Sequence, residues 1–183
     1  MFELQGNRAE LLEKIEDGLN RKCYAALRDL LLPMEAADIA GVCTELGEKV
    51  PLVFRLLPKE LAAEVFVELD SDEQELLIRG FSNSELKEVL DELYLDDTVD
   101  LIEDLPANLV SRILRNTDAS TRSQINKLLN YPKDSAGSLM TTEFVYLHPN
   151  NTVEESFARI RQVGLDKETV YTCYVTQNRV LQG

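Results

Sequence analysis

Residues 58–81 read PKELAAEVFVELDSDEQELLIRGF, residues 82–105 read SNSELKEVLDELYLDDTVDLIEDL, and residues 106–129 read PANLVSRILRNTDASTRSQINKLL. Set in a 24-residue frame, five apolar columns hold across the three copies: Ala62/Leu86/Val110, Val65/Val89/Ile113, Phe66/Leu90/Leu114, Leu77/Leu101/Ile125 and Phe81/Leu105/Leu129. Within a copy the apolar residues recur at three- and four-residue spacing, as in Leu61, Val65, Phe66 and Leu69, which is the period of an amphipathic helix. Each copy therefore reads as a pair of helices of about 10–12 residues, too short to be stable alone. A single pair cannot bury its apolar face, so successive pairs must stack. The expected fold is mainly α, a superhelical α-solenoid of short helix pairs; an irregular helical bundle is the plainer alternative. Ile39, Val42 and Leu46 fit a weaker, earlier copy.

Start signals support the helices. Ser71-x-x-Gln74 and Ser82-x-x-Glu85 fit the capping box, in which two side chains satisfy orphan N–H groups. Pro33, Pro58 and Pro106 suit the first turn of a helix, where the missing N–H does no harm.

The pattern changes near Tyr131, where Tyr131-Pro-Lys-Asp-Ser-Ala-Gly137 carries turn residues. A strand-like run covers Phe144–Leu147, Pro149-Asn150-Asn151 turns the chain, and Thr152-x-x-Glu155 caps a helix to about Val163. A second strand follows at Val170–Val175, rich in β-branched and aromatic residues, and Gln177-Asn178 turns back. The expected organisation is a helical domain over 1–130 and a partial α/β domain over 131–183. One β-α-β unit does not make a complete sheet domain, so the chain is expected to be a piece of a longer protein.

The 183 residues carry 33 acidic and 19 basic side chains, a net charge of -14. Residues 58–105 hold 16 of the acids and 3 of the bases, so nearly all the net charge sits in the first two copies of the repeat. Such a chain lacks the electrostatic footprint of a nucleic-acid binder and is repelled by anionic lipid. Three widely spaced cysteines without a CxxC argue for reduced thiols and against a zinc site. No 18-residue apolar run and no signal-peptide core occur, so a cytoplasmic location and no direct membrane insertion are expected.

At Tyr131-Pro-Lys-Asp-Ser-Ala-Gly-Ser-Leu-Met-Thr-Thr-Glu143 the chain resembles the junction of the MgtE family of magnesium transporters, where a helical N domain meets a pair of CBS domains. Asp166-Lys-Glu-Thr-Val-Tyr-Thr-Cys-Tyr-Val175 resembles the first CBS half of that family. Leu56-Leu57-Pro58, Ala62-Ala-Glu-Val-Phe66 and Leu95-Asp-Asp-Thr-Val-Asp-Leu101 match the helical part. The resemblance implies a cytosolic magnesium-sensing region, with residues 131–183 the junction and first part of a CBS domain. The rest of the CBS pair, a linking helix and a transmembrane pore domain would complete the chain. It also implies a homodimer, the cytoplasmic side of the membrane, magnesium as the bound ion, and no enzymatic activity.

Within the acidic block Glu60, Glu64 and Glu68 share an i, i+4 stripe, as do Asp96, Asp100 and Asp104; like charges so placed repel unless a cation intervenes. By motif match, Glu64, Asp96 and Asp100 fall on the family's magnesium-contacting acids, with Asp97 a weaker neighbour. Independently, the repeat frame aligns Asp100 with Leu76 and Gln124, an acid at a position that is apolar one copy earlier. The plainer readings are a solvated face for each acid and, for Asp96, a helix N-cap ahead of Thr98.

The remaining motifs are weak. Ser84-x-x-Lys87 lies in a capped helix without companions, His148 reads as an exposed turn residue, and Cys173 reads as core. The edges of a CBS nucleotide cleft would fall near Ser138 and Thr172, but Thr172 is not a stacking aromatic, so no nucleotide is expected. Two rival functions remain: an acidic α-solenoid adaptor for a basic protein, and a CBS-bearing regulatory subunit of a soluble enzyme.

Overall fold

The computed structural model describes residues 2–133 and 135–183; Met1, and Asp134 in the junction motif, lie outside the described residues. The chain divides into two compact units, Met1–Leu93 with Asp100–Arg122, and Tyr94–Val99 with Ser123–Gly183. Among the described residues ten α-helices precede the sheet: α1 (Phe2–Asn20), α2 (Tyr24–Leu31), α3 (Ala36–Leu46), α4 (Val50–Phe54), α5 (Lys59–Glu68), α6 (Ser71–Gly80), α7 (Asn83–Leu90), α8 (Leu95–Asp104), α9 (Ala107–Asn116) and α10 (Ala119–Leu128). The division between units falls inside α8 and again inside α10.

The repeat is visible in the helix starts. Helices α5, α7 and α9 begin at Lys59, Asn83 and Ala107, and α6, α8 and α10 at Ser71, Leu95 and Ala119, so both series keep the 24-residue period. Every side chain in the five apolar columns is buried or half-buried, and Ile39, Val42 and Leu46 of the earlier copy are buried as well. In the first unit α3 packs on α5, α5 on α7 and α7 on α9, a row of equivalent helices, as a solenoid requires. The row is tightly wound, because α6 also packs on α9, two pairs further on. Arg112 of α9 closes that contact: its guanidinium donates to the carbonyls of Ile78 and Phe81 and, at 3.3 Å, to Asn83 Oδ1. Aromatic rings fill the centre, with Phe54 edge-on to Phe66 at 6.2 Å and tilted against Phe81 at 5.5 Å.

Three local expectations need correction. Ser82 and Glu85 form the capping box, but Ser71 does not cap α6. Asp70 does, its side chain accepting from the N–H groups of Asp72 and Glu73, so the helix is anchored one residue earlier. Pro58 and Pro106 are the N-cap residues of α5 and α9, whereas Pro33 opens no helix: it lies just past α2, in the turn that ends it. Asp96 is not an N-cap either. Helix α8 starts at Leu95, which places Asp96 and Asp97 inside its first turn.

The second unit holds β1 (Phe144–Leu147), α11 (Val153–Val163), β2 (Thr169–Gln177) and β3 (Val180–Leu181) in the sheet order β1-β2-β3. Thr152 and Glu155 form the capping box expected for α11. Strands β1 and β2 are parallel, in register at Phe144↔Thr169, Tyr146↔Tyr174 and Leu147↔Val175, with an irregularity between the first two pairs. Strand β2 turns into antiparallel β3 through Asn178 and Arg179, both at positive φ (51° and 66°), the backbone of a two-residue hairpin turn. Val145 of β1 is buried, but β2 is largely open, with Tyr171 99% exposed. Cys173 is therefore half-exposed rather than core, because little of the described chain covers that strand. His148 is an exposed turn residue, its Nδ1 accepting from the Asn150 N–H.

Candidate functional site at the start of α8

The acids singled out by the sequence occupy unlike surroundings. Glu64 on α5 and Asp100 on α8 are exposed, as are Glu60, Glu68 and Asp104. Leu76, aligned with Asp100 in the repeat frame, is half-buried, and Gln124 is exposed. Asp96 differs from the other two candidates. It is half-buried, and its Oδ1 is buried without a hydrogen-bond partner. Burial first, and then the neighbouring Glu168 carboxylate, push its carboxyl up to about 6 from the ordinary 3.8, with Asp97 adding to the rise. Among the described residues no three His, Cys, Asp or Glu side chains converge closely enough to hold a metal ion.

Two further acids meet this turn, and the sequence reading passed over both. Glu143 Oε2 accepts the Leu95 N–H at 2.7 Å, across 48 residues of chain. That N–H belongs to the first turn, where the helix supplies no partner of its own. Glu168 faces Asp96. Parallel pairing explains why both arrive together. Phe144 pairs with Thr169, so Glu143 and Glu168 stand immediately before paired residues at the same end of the sheet. An acid directly preceding each strand of a β-α-β unit was the available signal.

Asp96 and Asp97 lie in this first turn, Glu143 meets its N–H and Glu168 faces Asp96. Glu143 is attracted by an N–H and by the positive end of the helix. Asp96 is opposed by Glu168. A hard divalent ion takes carboxylate oxygens and retains several waters, so a half-buried carboxylate with an orphan oxygen fits as part of its donor set. A divalent charge held there would offset the Asp96–Glu168 repulsion.

The family model for the MgtE intracellular N domain matches residues 34–134. The chain belongs to that family. It is 35% identical over 175 residues to the magnesium transporter MgtE of Thermus thermophilus, which covers 93% of this chain and 39% of that protein. With the magnesium transporter MgtE of Bacillus subtilis it shares 23% identity over 149 residues, 81% of this chain and 33% of the other. This MgtE-family chain therefore spans little more than a third of the curated relatives it matches. Among solved structures it superposes with a TM-score of 0.83 and 32% identity on a cytosolic domain of the Mg2+ channel MgtE in complex with ATP, covering 92% of this chain and 69% of that one. The soluble part of a magnesium transporter matches in fold, with a TM-score of 0.80 at 24% identity over 93% of this chain and 68% of that one. Among the described residues of this MgtE-family chain no helix is long and apolar enough to cross a membrane.

Proposed function

We propose that this chain is the cytosolic magnesium-sensing region of a membrane magnesium transporter or channel, and that magnesium bound through Glu64, Asp96 and Asp100 favours the closed pore. The observation that carries the reading is Asp96: a half-buried carboxylate with an orphan oxygen, pressed by Glu168 and Asp97, in a chain of the MgtE family. A site whose own charges repel gains most from a divalent cation, and a donor set that is incomplete within one chain binds it weakly. Weak binding suits a sensor of an abundant ion. In this reading residues 131–183 are the junction and first part of a CBS domain. Further acids come from the remainder of a longer, homodimeric chain that carries the pore in the membrane. The chain acts by binding and performs no catalysis.

Magnesium titration followed by amide NMR and calorimetry tests the reading. The expected result is a saturable response at millimolar magnesium, largest at the first turn of α8 and lost in Asp96→Asn with Asp100→Asn. A linear, unsaturated response spread over all the exposed acids would leave the adaptor as the better account, and binding of basic peptides would then be sought.

A further inference from the structure

At the start of helix α8 the Leu95 N–H is satisfied by a carboxylate 48 residues ahead. That carboxylate is itself held in place. The Glu143 N–H donates to Thr141 Oγ1 at 3.0 Å, and the next residue, Phe144, enters the sheet opposite Thr169. One residue before Thr169 stands Glu168, the acid that opposes Asp96. The same sheet end thus brings Glu143 to the backbone of α8 and Glu168 beside the Asp96 side chain. Tyr94–Val99 groups with the sheet and not with the rest of the first unit, as a turn anchored in this way should.

We propose that Glu143 is a positioning residue: by anchoring the Leu95 N–H to the start of β1 it fixes the first turn of α8, and so sets where the Asp96 carboxylate meets a divalent cation. The inference rests on the proposed magnesium-sensing role of Asp96. Glu143 acts through the backbone of α8 and does not ligate the ion. Its carboxylate is engaged by the Leu95 N–H, and the function it serves requires an acceptor oxygen at that point rather than a charge. Removing the acceptor frees the turn, so that Asp96 withdraws into solvent and the metal loses an oriented ligand; loss of such an outer support typically weakens metal binding by about tenfold or more.

The test uses the whole chain, magnesium ion as the probe, and three variants. In Glu143→Ala, Leu95 amide exchange should speed by about tenfold, the loss of one charge-assisted hydrogen bond. The magnesium midpoint, read at the Asp96 and Asp97 amides, should rise by about tenfold. Glu143→Gln keeps a side-chain oxygen for the Leu95 N–H and should restore most of both readouts. Thr141→Ala leaves the carboxylate but removes the turn that aims it, and should move both readouts partway; it decides the matter if Glu143→Ala does not fold. Unchanged Leu95 exchange in Glu143→Ala overturns the anchor. Faster exchange with an unmoved midpoint overturns the positioning role. A Gln variant as impaired as the Ala variant makes Glu143 a ligand and overturns the inference in that way. A parent chain without a saturable magnesium response overturns the sensing function and this role with it, whereas a responsive parent with unresponsive variants overturns this role alone.

Discussion

Replacing Asp96 by Asn removes one charge and preserves shape, and its effect follows from what surrounds the carboxylate. The carboxyl is raised from 3.8 to about 6, chiefly by burial and then by Glu168. A rise of that size corresponds to at most about 3 kcal/mol of penalty for carrying the charge at neutral pH. The side chain is only half-buried, so solvent screening removes about half of this, and the lost favourable interaction with the helix N-terminus removes up to about 1 kcal/mol more. Asp96→Asn should therefore stabilise the chain at pH 7.5 by about 1 kcal/mol, a rise in Tm of about 2–4 °C for a chain this long. Magnesium should do for the parent what the substitution does for the variant. At ten times its dissociation constant it adds about 1.4 kcal/mol through mass action, and it should add much less to Asp96→Asn. Thermal unfolding of both proteins, with and without magnesium, measures all four quantities. If Asn lowers Tm, Asp96 is not strained; if magnesium raises the Tm of both proteins equally, Asp96 is not a ligand.

Three other outcomes are expected. Phe66, fully buried and edge-on to Phe54, should cost about 3–5 kcal/mol on replacement by Ala, measured by urea unfolding. Glu85 is held at about 2 against an ordinary 4.5, first by the Arg55 guanidinium and then by the Ser82 N–H. A depressed acid stabilises in full above its unfolded value and loses that contribution as pH falls toward its folded one, so Glu85→Gln should cost about 0.5–1 kcal/mol at pH 6 and progressively less from pH 4.5 to 2. Arg179 holds a φ of 66° in the β2–β3 turn, so Arg179→Gly should stabilise the hairpin by about 1 kcal/mol, seen as slower exchange of the Gln182 amide, which donates to the Val175 carbonyl.

The helical part was open to reading because a packing repeat leaves a covariant trace: Val65, Val89 and Ile113 occupy one slot in three copies, and a slot that must be apolar shows itself three times. Boundaries were less legible where a neighbouring residue offered a better geometry. Asp70 outcompetes Ser71 because its carboxylate reaches two N–H groups at once. The start of α8 was the least legible, since its acceptor lies 48 residues away and no local rule for caps can see it. The same applies to Glu168, whose approach to Asp96 depends on a parallel register and not on any spacing within the repeat. Of the three candidate acids, Asp96 is set apart by burial, a property that follows from how its turn is anchored.

The contact of α6 with α9 changes how the first unit should come apart. In an open stack each pair answers only to its neighbours, and loss of a terminal pair spreads inward step by step with graded melting. Here Arg112 ties the third copy to the carbonyls that end the second helix of the first. Rupture at one place releases partners on both sides of the intervening copy. A coil wound this closely melts as a single cooperative block, and a copy cannot be excised or duplicated without leaving those carbonyls unanswered.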